Sequence, residues 1–230
     1  MRGLGLDAAG RAGWVGVVVD DRGFASAHLA RSAAEVVAAA EAEPAGAVHA
    51  VAIDIPIGLV AARRRSADVA AREFVRPRSS SVFPAPHPDV VALPHHAAVN
   101  EHLVAIGMPR VSAQAFHLFG RVREVAPLAA DPRVVEAFPE ASFRGLKGEP
   151  VRTTKKTWAG QHERRALLAQ ASPAVVLPDD LGPAGAVPPD DVLDAAAVAW
   201  SAWRYAHGSA ECLGDPTELD AAGRAAVVWW

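Results

Sequence analysis

The chain has 230 residues, a formal net charge of -3, 51% hydrophobic residues and 21% charged residues. These values fit one globular domain with a sizeable core, and they exclude a generally basic nucleic-acid coat while leaving room for a local basic groove. Cys212 is the only cysteine, which excludes an internal disulfide and a cysteine-built zinc site.

In chain order, Gly3 to Asp7 reads as an apolar strand, followed through a Gly10/Gly13 turn by Trp14 to Asp20. Asp21-Arg22-Gly23 turns into a third strand, Phe24 to Leu29, as in an antiparallel meander. Ser32 is placed to cap a helix running to about Ala42, before Pro44-Ala45-Gly46. Val48 to Ile55 is a nearly continuous apolar run, the pattern of a strand covered on both faces. The opening is therefore β-β-β-α-β.

A mainly helical stretch follows. It holds a helix over 67–75, a proline-rich irregular part over 76–94, and a helix over about 95–106. Ser112 caps another helix, with Phe116, Phe119 and Val122 at helical spacing. Arg133 to Phe138 is a fifth strand, 157–171 a helix, and Ala174 to Leu177 a short strand. Asp190 to Ala206 forms the long final helix, and a terminal strand is expected within 221–230. Nothing resembles a signal peptide or a membrane span, so a reducing cytoplasmic location and no membrane partner are expected.

Carboxylates recur where these elements end. Asp7 closes the first strand and Asp54 the fourth; Glu136 and Glu140 flank the end of the fifth; Asp191 and Asp194 open the final helix. Asp191 and Asp194 are three residues apart and share a helix face, and the alanines around them permit a close approach to a sheet. Pairing the first strand with the fourth would set Asp7 beside Asp54. Buried carboxylates are costly without positive charge, and several together resist ionising. A divalent cation answers both problems, and an all-oxygen ligand set suits Mg²⁺ or Mn²⁺. The expected product is a cluster of three or four oxygen ligands, with Asp194 brought toward Asp7 and Asp54. Glu136 either completes that shell or pairs with an arginine such as Arg133 or Arg144.

All three lysines, Lys147, Lys155 and Lys156, fall within ten residues. Lysine is a compact, reorientable charge. Lys156 is the expected catalytic cation, with Lys155, Arg152 and Arg64 as phosphate contacts. Arg63-Arg64-Arg65 with Arg72, Arg76 and Arg78 is either a solvated loop or a resting place for backbone phosphates; no aromatic residues are interleaved with it, so the run itself does not indicate single-strand base stacking. His95, His96 and His102 match no zinc spacing, the serine run at 79–81 lacks a hydrolase elbow, and no phosphate loop is present.

The residues Gly5-Leu6-Asp7, Ile53-Asp54-Ile55-Pro56-Ile57-Gly58-Leu59 and Asp191-Val192-Leu193-Asp194 resemble the family called domain of unknown function 429. So do Ser81-Val82-Phe83, Ser112-Ala113-Gln114-Ala115-Phe116, Pro139-Glu140-Ala141-Ser142-Phe143 and Lys155-Lys156-Thr157. The resemblance implies an RNase H-like α/β fold, a mixed sheet flanked by helices, as one domain over 1–230 with a helical insert at about 60–130. It implies Asp7, Asp54, Asp191 and Asp194 as the metal ligands of a two-metal nuclease using Mg²⁺ or Mn²⁺, with nucleic acid as partner and, by analogy with RuvC-type resolvases, a homodimer. Phe138 departs from the histidine expected before Pro-Glu in many relatives. The rival reading is a non-catalytic binding or scaffolding module of the same fold. An actin-like ATPase shares the opening but requires two such domains.

Overall fold

The computed structural model describes Met1–Trp230. Seven helices and a five-stranded sheet form its framework. The strands of that sheet are β1 (Arg2–Ala8), β2 (Trp14–Asp20), β3 (Gly23–Ala30), β4 (Ala50–Ile53) and β5 (Val134–Glu136). The helices are α1 (Ala33–Glu41), α2 (Ser66–Phe74), α3 (His96–Ala105), α4 (Ala113–Val125), α5 (Pro139–Lys147), α6 (Trp158–Ala169) and α7 (Pro189–Ala206). A two-residue ladder, β6 (Cys212–Leu213) with β7 (Val228–Trp229), stands apart.

The sheet order is β3-β2-β1-β4-β5, antiparallel across β3, β2 and β1 and parallel across β1, β4 and β5. Strand alternation sorts β2 between two cores. Val15, Val17 and Val19 join the core on the α7 side, while Trp14 and Val18 pack with Leu4, Leu6, Val36 and Ile53 on the other. The register matters most for function. Leu6 pairs with Ile53 and Ile53 with Glu136, so Asp7, Asp54 and Glu136 stand at one edge of the sheet.

Helix α1 begins as the sequence predicts. Ser32 accepts from the Glu35 amide, and the Glu35 carboxylate accepts from the Ser32 amide, a reciprocal capping box. Helix α7 lies across β1, β2 and β4, and its residues from Val192 to Ala202 are buried. What lets it lie so close is Gly5. A methyl group there would fall 2.1 Å from the Ala199 amide nitrogen and 2.3 Å from the Ala195 carbonyl oxygen. Gly3 meets the Trp203 nitrogen in the same way, at 2.2 Å. Two glycines on one strand face thus set the distance between layers.

Three expectations are corrected. Ala174 to Leu177 is not a strand. Val175 and Leu177 do alternate inward, but the Val175 amide bonds to the Leu168 carbonyl near the end of α6, and no strand pairs with the segment. The terminal strand shrinks to Val228–Trp229, with Trp229 bridging to Ala137 beyond β5. Helix α5 was unforeseen, although its signals are present: Pro139 at the first turn and Gly148, at φ 76°, as the left-handed stop. No helix is long and apolar enough to cross a membrane.

Candidate active site

The carboxylate end of the parallel strands opens into a cavity of about 310 Å³. Asp7, Asp54 and Glu136 line it from the sheet, Asp191 and Asp194 from α7, Glu140 from α5, and Lys155 from the loop before α6. The chain therefore brings all six of the expected acidic residues to one cavity. Asp7 and Asp194 are 7% and 2% exposed, which withdraws them almost fully from water.

Two of those acids are already satisfied by arginine. Arg65 donates to Glu136 Oε1 at 2.6 Å and Oε2 at 2.7 Å, and to Asp68 Oδ1 at 2.6 Å. The Ile57 amide adds a bond to Glu136 Oε2 at 2.8 Å. The partner of Glu136 is thus Arg65. Arg133 is occupied by Asp131 and Glu41, and Arg144 stacks over Phe74. Arg164 is fully buried and donates to both Glu140 oxygens, at 2.8 and 2.9 Å. The Arg65 fork fixes the orientation of Glu136, whereas a single Arg164 nitrogen, Nη2, spans the two Glu140 oxygens.

Asp7, Asp54 and Asp194 have no arginine. Asp7 Oδ1 accepts from the Ala8 amide at 2.8 Å. Asp194 Oδ2 accepts from Lys155 Nζ, while Asp194 Oδ1 is buried without any hydrogen-bond partner. Burial, then repulsion from Asp54 and Asp194, holds the Asp7 carboxyl well above the usual carboxylate range. Asp54 keeps an exposed edge toward the cavity, yet burial and then the Asp194 charge push it up to about 8. Burial raises Asp194 to about 6, with Lys155 pulling the other way. Burial opposes the charge on Lys155, but Asp194, then Asp7 and Asp54, outweigh it and hold the ammonium above its ordinary value. Asp191 is half-buried and raised, by burial first and then by Asp190.

The arrangement is a set of hard oxygen donors with two cations, Arg65 on Glu136 and Asp68 and Lys155 on Asp194. No histidine or cysteine lines the cavity, which leaves nothing to attract a soft metal. A divalent cation of the Mg²⁺ or Mn²⁺ class fits the donors' chemistry, and the orphaned Asp194 Oδ1 is an oxygen still in need of a partner. No three His, Cys, Asp or Glu side chains stand close enough to form a finished coordination shell. The ammonium of Lys155, 4.0 Å from Asp190 and bonded to Asp194, lies among the carboxylates.

The remaining expected residues are placed differently from one another. Lys155 points into the cavity, whereas its neighbour Lys156 is exposed. Arg152 is exposed, and its carbonyl accepts from Arg78 at 2.9 Å. Arg64 stands on a second cleft of about 780 Å³ that shares Arg65, Asp68, Val82 and Phe83 with the first. Sequence reasoning missed Arg65 and Arg164 as anchors of the site. Asp68, three residues after Arg65 on α2, was the available signal for the first.

A family model described as protein of unknown function, DUF429, matches residues 5–219. No curated protein and no solved structure gives a match.

Proposed function

The chain belongs to the DUF429 family, and we propose that this protein is a metal-dependent phosphodiesterase acting on nucleic acid, with an RNase H-like arrangement of its catalytic carboxylates. The observation that carries the reading is the buried Asp194 Oδ1, unpartnered in a wall shared with Asp7 and Asp54. A chain that supplies arginines to Glu136 and Glu140 but none to these three leaves them for a cation. Asp7, Asp54 and Asp194 would hold it, with Asp191 at the edge of the same cavity. When bound, Mg²⁺ or Mn²⁺ supplies Lewis acidity toward a phosphate oxygen and lowers the pKa of its water.

The chain's own residues do the rest. The β1–β4 register ends at Leu6 and Ile53, and the Asp54 amide bonds to the Leu6 carbonyl at 3.0 Å, so Asp7 and Asp54 follow neighbouring strand ends. Arg65 locks Glu136 and Asp68 as the cavity wall. Lys155 neutralises Asp194 in the resting protein and is the group placed to meet an entering phosphate. Lys156 is exposed, where it can contact the substrate outside the cavity.

A second reading, a non-catalytic binding or scaffolding module, draws support from that same ion pair. Lys155 already balances part of the acidic charge from within the chain. Calorimetry with Mn²⁺ separates the two. The nuclease reading expects binding that Asp54→Asn and Asp194→Asn each abolish, together with Mn²⁺-dependent hydrolysis of a simple aryl phosphodiester lowered at least a hundredfold in both. Mn²⁺ binding indifferent to both substitutions would sink the reading and leave the scaffold.

A further inference from the structure

Trp158 is 85% exposed, the most exposed of the large hydrophobic residues in the chain. The other five tryptophans are buried or half-buried. It opens α6 after the Thr157 cap, which follows Lys155 in the acid cavity and Lys156 on the surface. The segment that presents it is held from two sides. Arg78 bonds to the Arg152 carbonyl at 2.9 Å and to Thr154 Oγ1 at 3.2 Å, and Arg164 reaches the Thr153 carbonyl at 3.3 Å. An exposed indole on a braced segment is available for contact with little ordering cost.

Arg78 also links this segment to the second cleft, since its neighbours Arg76 and Ser79 line that cleft. Six arginines line the cleft against two acids, Asp68 and Glu73, in a chain whose net charge is -3. Arg63, Arg64 and Arg110 are exposed. Positive charge is therefore concentrated beside the acid cavity. The cavity itself, at about 310 Å³, is at the small end for ligand sites.

We propose that the protein takes a single-stranded polynucleotide, stacking one base on Trp158 and laying the adjoining phosphates along the Arg63, Arg64 and Arg110 cleft. The inference rests on the phosphodiester reading of the acid cavity and names its substrate class. Aromatic stacking beside a cationic groove is sequence-tolerant and strongly salt-dependent. It requires unpaired bases, because a paired base hides its faces in the helix.

The test uses the full chain in EDTA, with fluorescein-labelled oligothymidylate and a blunt hairpin duplex as probes in fluorescence anisotropy. The single strand is expected to bind at least tenfold tighter than the duplex. Trp158→Ala should weaken strand binding roughly tenfold, the size of one stacked base, with Trp158→Phe restoring most of it. Arg64→Gln and Arg110→Gln should each flatten the salt dependence by about 0.7 in the log–log slope. Mn²⁺ affinity should stay unchanged in all four variants. Equal affinity for duplex and single strand, with indifference to Trp158→Ala, overturns the inference even if Mn²⁺-dependent hydrolysis stands. So does a change of oligomeric state on Trp158→Ala with strand affinity untouched, which would make the indole a self-contact. Failure of the metal reading is registered separately, by the Mn²⁺ calorimetry of the Asp54 and Asp194 variants.

Discussion

Two sets of buried carboxylates line one cavity, and the protein treats them in opposite ways. Glu136 receives a forked guanidinium from Arg65, and Glu140 receives Arg164, whose Nη2 alone reaches both carboxylate oxygens. Asp7, Asp54 and Asp194 receive one backbone amide and one lysine among them. Desolvation acts on both sets, so burial alone does not explain the difference. The arginine-paired acids are closed electrostatically, and their function is to hold the wall. The aspartates remain open, and openness under burial is what a binding site requires.

The sharpest way to break this contrast is to remove an arginine. Arg164→Met leaves Glu140 buried and unpaired, which should cost about 3–5 kcal/mol in urea unfolding. Adding Glu140→Leu should recover most of that loss, since removing both partners of a buried pair is far milder than removing one. No recovery would mean that Arg164 works through packing on Phe143 rather than through the pair.

The aspartates should respond with the opposite sign. A carboxyl held near 8 when folded, against 3.8 when free, binds its proton more tightly in the native state. Such a group lowers stability as pH rises through the window from about 4 to about 8. Metal-free Asp54→Asn should therefore be more stable than the wild type at pH 8, by about 1–3 kcal/mol, and the gain should vanish near pH 4. Thermal unfolding in EDTA across that range checks both arms. A gain that persists at pH 4 would remove the electrostatic cause.

The lysines give the smaller effects. Lys155→Met deprives Asp194 of its only partner and should destabilise the EDTA-treated protein by about 1 kcal/mol, a loss that shrinks when Mn²⁺ is added. Lys156→Met, on an exposed position, should change stability by less than about 0.5 kcal/mol under either condition. Equal effects from the two lysines would contradict the view that only Lys155 belongs to the acidic cluster.

Much of this arrangement was legible in the residues because it follows local rules. Periodicity and glycine turns gave the meander, Ser32 and Ser112 marked their helices, and the strand-ending aspartates pointed to one sheet edge. Asp191 and Asp194 shared a face by helical spacing alone. The arginine partners were illegible because they join residues far apart in the chain. Arg65 meets Glu136 across 71 positions and Arg164 meets Glu140 across 24. A triple arginine reads as a solvated run until the fold buries its third member. Helix α5 was hidden because the strand before it is only three residues long, so Pro139-Glu140 looked like an exit rather than a start. Which of two adjacent lysines turns inward is likewise decided by the loop's path and not by the dipeptide.

The missing side chains of Gly3 and Gly5 have a use beyond packing. They let α7 settle against β1, and α7 carries Asp194 toward Asp7 on the strand's end. On the metal reading proposed above, the thickness of the interlayer gap would set which ion the oxygens accept. Mg²⁺ sits at about 2.0–2.1 Å from its ligands and Ca²⁺ at about 2.3–2.6 Å. A single added methyl at Gly5, in a variant that still folds, should push the helix outward and tilt preference toward the larger ion. Ionic selectivity would then be written into two hydrogens on a strand, with every ligand left in place.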